Sequence, residues 1–199
     1  MFNTNIRSFR SSTLLITTTL LCFASLATAS PASVAPIPGG GTAFEGPGHA
    51  CIVVRHAGAR HAGHVAWGVE ISRDHYLFGA VEGPSSNGSA GWFKAGSWGD
   101  MLAAFQKASL RPGRAGEPYD AIRCVPVSRP NTARAWTIAR SMADRSRHYN
   151  LLNLNCLHAT YAVLHDYGTA NLPSPHGFFR LPNLYYNRFD GRHEWILRR

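Results

Sequence analysis

The chain is poor in cysteine and in acidic residues. Four cysteines among 199 residues are too few for a small disulfide-dense scaffold. The 19 Gly and 12 Pro fall short of a collagen-like or low-complexity composition. Aromatics at 11% argue against disorder, because they supply the buried area that offsets chain entropy. Beyond the first thirty residues no apolar run is long enough to cross a bilayer. There is no Cys-x-x-Cys, no His-Glu-x-x-His and no Asp-rich calcium loop, so no metal or cofactor is expected. Gly39-Gly40-Gly41 is too isolated to cradle a phosphate, and no internal repeat is present. What remains is a basic, single-domain composition, with 20 Lys+Arg against 11 Asp+Glu and a net charge of +9.

Residues 1–29 read as a secretory signal peptide. Arg7 and Arg10 form a short basic region, an apolar stretch runs from Leu14 to Leu26, and Ala27-Thr28-Ala29 is a small-x-small cleavage site. The stretch is short and interrupted by threonines and a serine, which disfavours a membrane span. Cys22 follows Leu21, where a lipid-anchor signal would need a small residue. Cleavage near Ala29 removes two arginines and no acids, so the net charge falls from +9 to +7. The mature chain is expected outside the cytoplasm, extracellular or periplasmic, with a flexible leader at 30–48 and one domain at 49–199.

Three cysteines then remain, an odd number for an oxidising compartment. Cys51 lies in Ala50-Cys-Ile-Val-Val54 and Cys124 in Ala121-Ile-Arg-Cys-Val-Pro-Val127. Both read as strands, which makes a bridge between neighbouring strands plausible. Further strands are expected at 64–71, 75–82 and 193–197, and helices from Ser97 or Asp100 to about 108, from Pro130 to 143, and from 156 to 167. Segments 83–96 and 172–187 read as loops. The fold class is α+β, a mainly antiparallel sheet packed against a few helices.

Cys156 stands apart from the other two. Asn155 is a good N-cap, which sets Cys156 at the first position of a helix. Free N–H groups and the positive end of the macrodipole favour a thiolate there. The bland alternative is a small core residue. A nucleophilic thiolate needs a base, and histidines stand at 49, 56, 61, 64, 75, 148, 158, 165, 176 and 193. His158 is two positions on, roughly 200° around the helix, and is expected at the surface. His56 and His61 flank a glycine-rich loop. His64 opens a strand with only Ala66 and Gly68 behind it on its face. That small-residue stripe would let a helix approach and bring a sulfur to the imidazole, although a plain edge-strand histidine fits the same pattern.

Gly63-His-Val-Ala-Trp-Gly-Val69 on a strand, with Tyr149-Asn-Leu-Leu-x-x-Asn-Cys156 opening a later helix, resembles the circularly permuted papain-like superfamily. These are NlpC-type cysteine hydrolases, including the lecithin:retinol acyltransferase-like branch. The likeness spans roughly residues 50–168. It implies a permuted papain-like fold with Cys156 as nucleophile and His64 as base. The family's third, orienting residue varies, so hairpin geometry has to choose it. If Ser72-Arg-Asp74 is a three-residue loop, Ile71 faces His75, and His64 faces Glu82 on the same side of the sheet. A two-residue turn would put Glu82 on the wrong face.

The expected function is a secreted hydrolase, peptidase or amidase in type, that cleaves an amide or ester through a thioester acyl-enzyme. Its partner would be a peptide, peptidoglycan or acyl-ester substrate, and the positive charge would suit an anionic surface. No basic helix carries interleaved base-reading residues, so nucleic acid is not an expected partner. Trp92, Phe93, Trp98, Phe178, Phe179, Tyr185 and Tyr186 either wall a substrate groove or pack the loops. A second reading stands beside the first, a non-catalytic secreted binding or effector module on the same fold.

Overall fold

A computed structural model describes residues 46–58, 61–85, 88–107, 118–144, 149, 154–176, 181–191 and 193–197, all within one compact unit, Gly41–Arg199. The expected signal peptide, most of the leader, His148, Phe178 and Phe179 lie outside the described residues. Ten elements follow in order: β1 (Gly48–Arg55), β2 (His64–Ser72), β3 (His75–Ser85), β4 (Gly88–Ser97), α1 (Trp98–Gln106), β5 (Ala121–Val127), α2 (Thr132–Ala143), α3 (Cys156–Tyr167), α4 (Pro182–Arg188) and β6 (His193–Ile196). The strands form one sheet in the order β4-β3-β2-β1-β5-β6, and every neighbouring pair is antiparallel. The fold is α+β. Among the described residues no helix is long and apolar enough to cross a membrane.

The sheet is covered on both faces, which explains why β1 and β2 are apolar almost throughout. On one face Ile52, Val54, Val65, Trp67 and Val69 pack against Ala135 and Ala139 of α2, Leu157, Val163, Leu164 and Tyr167 of α3, and Tyr185 and Tyr186 of α4. On the other, Cys51, Val53, Ala66, Tyr76, Phe78 and Ala80 pack against Met101 and Phe105 of α1 and against Tyr119. Each fully buried Leu, Val or Phe contributes about 1.5–3 kcal/mol of transfer free energy, so this two-sided core dominates the fold. Ser97 starts α1 through a capping box with Asp100, Asn131 caps α2, and Gly168 ends α3. Helix α2 therefore begins one residue past Asn131 rather than at Pro130.

Two segments read as loops are ordered elements. The expected loop at 83–96 contains β4, which hydrogen-bonds along β3 from His75↔Ser97 to Ser85↔Gly88. Its sequence, GSAGWFKAGS, has little strand propensity of its own, and the waiting edge of β3 supplies what propensity does not. The expected loop at 172–187 contains α4, opened by Pro182 and held by Tyr185 and Tyr186 in the core. Strand β1 begins at Gly48, the last residue of the expected leader, and the ring of His49 meets Glu70 at 2.6 Å.

Cys51 and Cys124 face each other across β1 and β5 and form a disulfide, leaving Cys156 as the free cysteine among the described residues.

The β2–β3 hairpin differs from the expected one in a way that preserves its consequence. The turn has two residues, Arg73 and Asp74, with Ser72 opposite His75 and Asp74 in the left-handed region. Ile71 is bulged between the Glu70↔Tyr76 and Ser72↔His75 pairs, and its side chain packs on the core. The extra residue absorbs the register shift of the shorter turn. Past the bulge the ladder runs Glu70↔Tyr76 to Trp67↔Gly79, a register that carries His64 towards Glu82, and their side chains meet.

Candidate active site

Asn155 Oδ1 accepts hydrogen bonds from the N–H groups of Leu157 (2.9 Å) and His158 (3.0 Å). These are the second and third residues of α3, so the cap leaves the N–H of Cys156, the first, untouched by it. Cys156 is 4% exposed. Its sulfur lies close enough to the Val65 N–H and to the His64 ring for both to act on it. The expected pair is therefore brought together.

The route to that meeting is not the expected one. Helix α3 packs on the Val65–Trp67–Val69 face, while the small-residue face of Ala66 and Gly68 is covered by α1. A Cβ on Gly68 would stand 2.5 Å from the Met101 sulfur, so the missing side chain there makes room for α1. His64 reaches Cys156 because it is the first residue of β2, at the end of the sheet where the start of α3 comes level with it. Its 7% exposure reflects the loop folded against it. A Cβ on Gly58 would lie 2.7 Å from His64 Cβ, and Asn183 of α4 braces the same loop by donating to the carbonyls of His56 and His61, both at 3.1 Å.

Glu82 lies on the His64 side of the sheet, with Oε2 3.3 Å from His64 Nε2. The N–H is not aligned on that oxygen, so the contact is an ion pair rather than a directed hydrogen bond. With Nε2 facing Glu82, Nδ1 is the nitrogen left for the sulfur. Glu82 Oε1 accepts from Tyr119 Oη at 2.9 Å and from Trp92 Nε1 at 3.3 Å. Arg55, opposite His64 in the β1–β2 ladder, brings Nη2 to 3.7 Å from Glu82 Oε2.

Burial shapes the charges but does not win. It disfavours the His64 imidazolium, yet the Cys156 sulfur and Glu82 outweigh it and raise the ring to about 10. Burial pushes Glu82 up, while His64, Arg55 and Tyr119 hold it down at about 2. For Cys156 burial and Glu82 both act upward, but His64 and the Val65 N–H prevail and bring the thiol below its ordinary range. Tyr119 is held well above a normal phenol by burial and by Glu82, so it stays a neutral donor. These shifts favour a row of thiolate, imidazolium, carboxylate and guanidinium, alternating in sign.

The other candidates fall away from this centre. His56 is exposed and pairs with Asp120 at 3.2 Å, and His165 sits beside Asp166 on the surface of α3. His61 is exposed in the loop. His158 is half-buried rather than at the surface, its Nδ1 2.9 Å from Asn155 Oδ1. Trp92, Phe93 and Trp98 are half-buried and pack against Phe105, Trp136 and Tyr76 respectively, while Tyr185 and Tyr186 are buried. Among the described residues no three His, Cys, Asp or Glu side chains gather as a metal-ligand group.

Arg55 and Tyr119 were not legible as site residues, and Trp92, read as a groove wall or loop packing, instead donates to Glu82. Arg55 closes an apolar strand run, a common place for a solvated charge, and only the β1–β2 register sets it beside His64. Comparison of the chain with family models, curated proteins and solved structures gives no match.

Proposed function

We propose that this chain is an exported cysteine hydrolase, peptidase or amidase in type, with Cys156 as nucleophile, His64 as acid and base, and Glu82 as the group that orients His64. The observation that carries it is the contact of a free cysteine at the first position of a helix with a buried histidine that is itself paired to a buried carboxylate. A structural cysteine needs neither partner, and burying two charges for packing alone is unfavourable.

In this reading the Cys156 thiolate attacks a carbonyl carbon, and the carbonyl π electrons move to oxygen. The Cys156 N–H, which the Asn155 cap does not take up, would stabilise the oxyanion. His64 gives its proton to the leaving amine or alkoxide as the C–N or C–O bond breaks, which leaves a thioester. Neutral His64 then takes a proton from water. The hydroxide adds to the thioester, the C–S bond breaks, and thiolate and imidazolium are restored. The resemblance to NlpC-type hydrolases supports the same assignment, and export would favour cell-wall peptide or another extracellular amide or ester.

One observation favours the second reading, a binding or effector module: Cys156 is only 4% exposed, which leaves a narrow approach for substrate. Iodoacetamide decides between them. Under the first reading native protein loses the Cys156 thiol at pH 6 faster than its His64→Gln variant does. An inert native thiol in both sinks the catalytic reading. Digestion of peptidoglycan, protein and lipid-ester panels, with Cys156→Ala as control, then assigns the substrate.

A further inference from the structure

The loop that delivers His64 is held by one residue of α4. Asn183, the second residue of that helix, donates from Nδ2 to the carbonyls of His56 and His61, both at 3.1 Å. Its own N–H donates to the Ala62 carbonyl at 3.2 Å. Two carbonyls in front of Nδ2 fix which way round the amide sits. Its Oδ1 is then buried with no donor among the described residues, and it stands where a side chain on Gly63 would collide with it. An orphaned buried acceptor is unfavourable, so packing alone does not call for an asparagine there. The two bonds to the loop do. Gly63 fits the same clamp, because it lies in the left-handed region at φ 92° and has no Cβ to meet the amide.

The clamp is anchored at one end and reaches the site at the other. Tyr185 and Tyr186 are buried in the core, which fixes the helix that carries Asn183. Within the loop, the Gly58 N–H donates to the Arg55 carbonyl at 3.1 Å and the Gly63 N–H to the Gly58 carbonyl at 2.9 Å. A displacement at 61–63 therefore passes to Gly58, whose α-carbon is packed against His64. His64 depends on this support. It lies beyond Trp67↔Gly79, where the β2–β3 pairing ends, and its ladder partner on the other side is Arg55, the residue from which the loop departs.

We propose that Asn183 is a positioning residue that clamps the β1–β2 loop and so holds His64 against the Cys156 sulfur. The consequence for catalysis rests on the cysteine-hydrolase reading; the placement of His64 does not.

The test compares the full chain with Asn183→Ala. Asn131→Ala, which removes the cap hydrogen bond of α2, is the control for lost stability alone. In Asn183→Ala the inflection of iodoacetamide alkylation of Cys156 against pH should rise by at least about one unit, a tenfold change in proton affinity, because the thiolate loses the imidazolium beside it. In Asn131→Ala it should stay in place. An inflection unmoved in Asn183→Ala overturns the proposal, as does equal movement in both variants. Asn183→Leu, similar in size and without the donor, replaces Asn183→Ala if that variant folds poorly. Failure of both to fold also overturns the proposal, because the clamp would then hold the domain and not the histidine. A wild-type thiol inert to iodoacetamide removes the hydrolase reading. The placement of His64 is then decided by the 15N titration of its ring, which should move towards that of an ordinary histidine in Asn183→Ala; an unmoved titration refutes it.

Discussion

The side chains of His64 on β2 and Glu82 on β3 meet, their Nε2 and Oε2 3.3 Å apart. Both lie at the end of the sheet where α3 begins. The pair links a free thiol on one side to a buried guanidinium on the other. Replacing Glu82 by Gln keeps the shape and removes the charge. Arg55 is then an unpaired buried cation, a change that costs about 3–5 kcal/mol. The expected result is a large fall in melting temperature together with a lower His64 titration, read by 15N NMR. A variant as stable as wild type would mean the ion pair is solvated in solution.

The pH range of the thiolate–imidazolium pair follows from the direction of each shift. His64 is raised from its ordinary value to about 10, so its contribution to stability is complete below about 6.5 and is lost as pH rises through about 10. Cys156 is lowered, so its contribution is lost as pH falls through that lowered value. Between these limits the two titrate as one unit. Thiolate absorbance in the far ultraviolet should persist at pH 6 in wild type and vanish in His64→Gln. Alkylation at that pH should drop about tenfold or more, because an ordinary thiol of pKa about 8.5 is almost wholly protonated there.

Glu82, lowered to about 2, carries the opposite sign from His64. Its stabilisation is present above about 4.5 and disappears as pH falls through about 2. Acid unfolding of wild type should therefore steepen towards pH 2, and that steepening should be absent from Glu82→Gln. Parallel acid profiles for the two proteins would contradict the shift.

The Cys51–Cys124 bridge closes a separation of 73 residues, for which the loop-entropy relation gives about 4 kcal/mol. The double substitution Cys51→Ala/Cys124→Ala should lower stability by about 2–4 kcal/mol without changing the alkylation rate of Cys156, because the bridge lies between β1 and β5, on the far side of β1 from β2. Urea unfolding and a thiol assay on the same preparation check both halves.

Asn155→Ala removes the acceptor for two helix-start N–H groups. A loss of about 1 kcal/mol is expected, with a fall in Cys156 reactivity at pH 6. Stability loss alone, with reactivity intact, would show that the cap does not set the sulfur's place.

Much of this was local and therefore readable along the chain. Asn155 before Cys156 and Gly168 after Tyr167 bracket α3 by hydrogen-bond chemistry that involves neighbours only. The apolar runs of β1, β2 and β5 read as strands for the same reason. The likeness of the His64 and Cys156 motifs to permuted papain-like enzymes pointed to a pair that the geometry brings together. Other features depended on partners far away in sequence. Strand β4 is mostly glycine, serine and alanine around Trp92 and Phe93, and it exists because β3 offers an edge. The bulge at Ile71 and the two-residue turn could not be read from spacing, since two different turns yield the same register once a bulge is allowed. Arg55, Tyr119 and Trp92 meet around Glu82 only through the ladders joining β1 to β2 and β3 to β4 and through the packing of the segment before β5. The sequence determined which residues could do chemistry and where the helix carrying the thiol begins. The tertiary structure decided which face that helix covers and which charges surround the histidine, because long-range pairing and burial, unlike capping and periodicity, are not properties of any short stretch of chain.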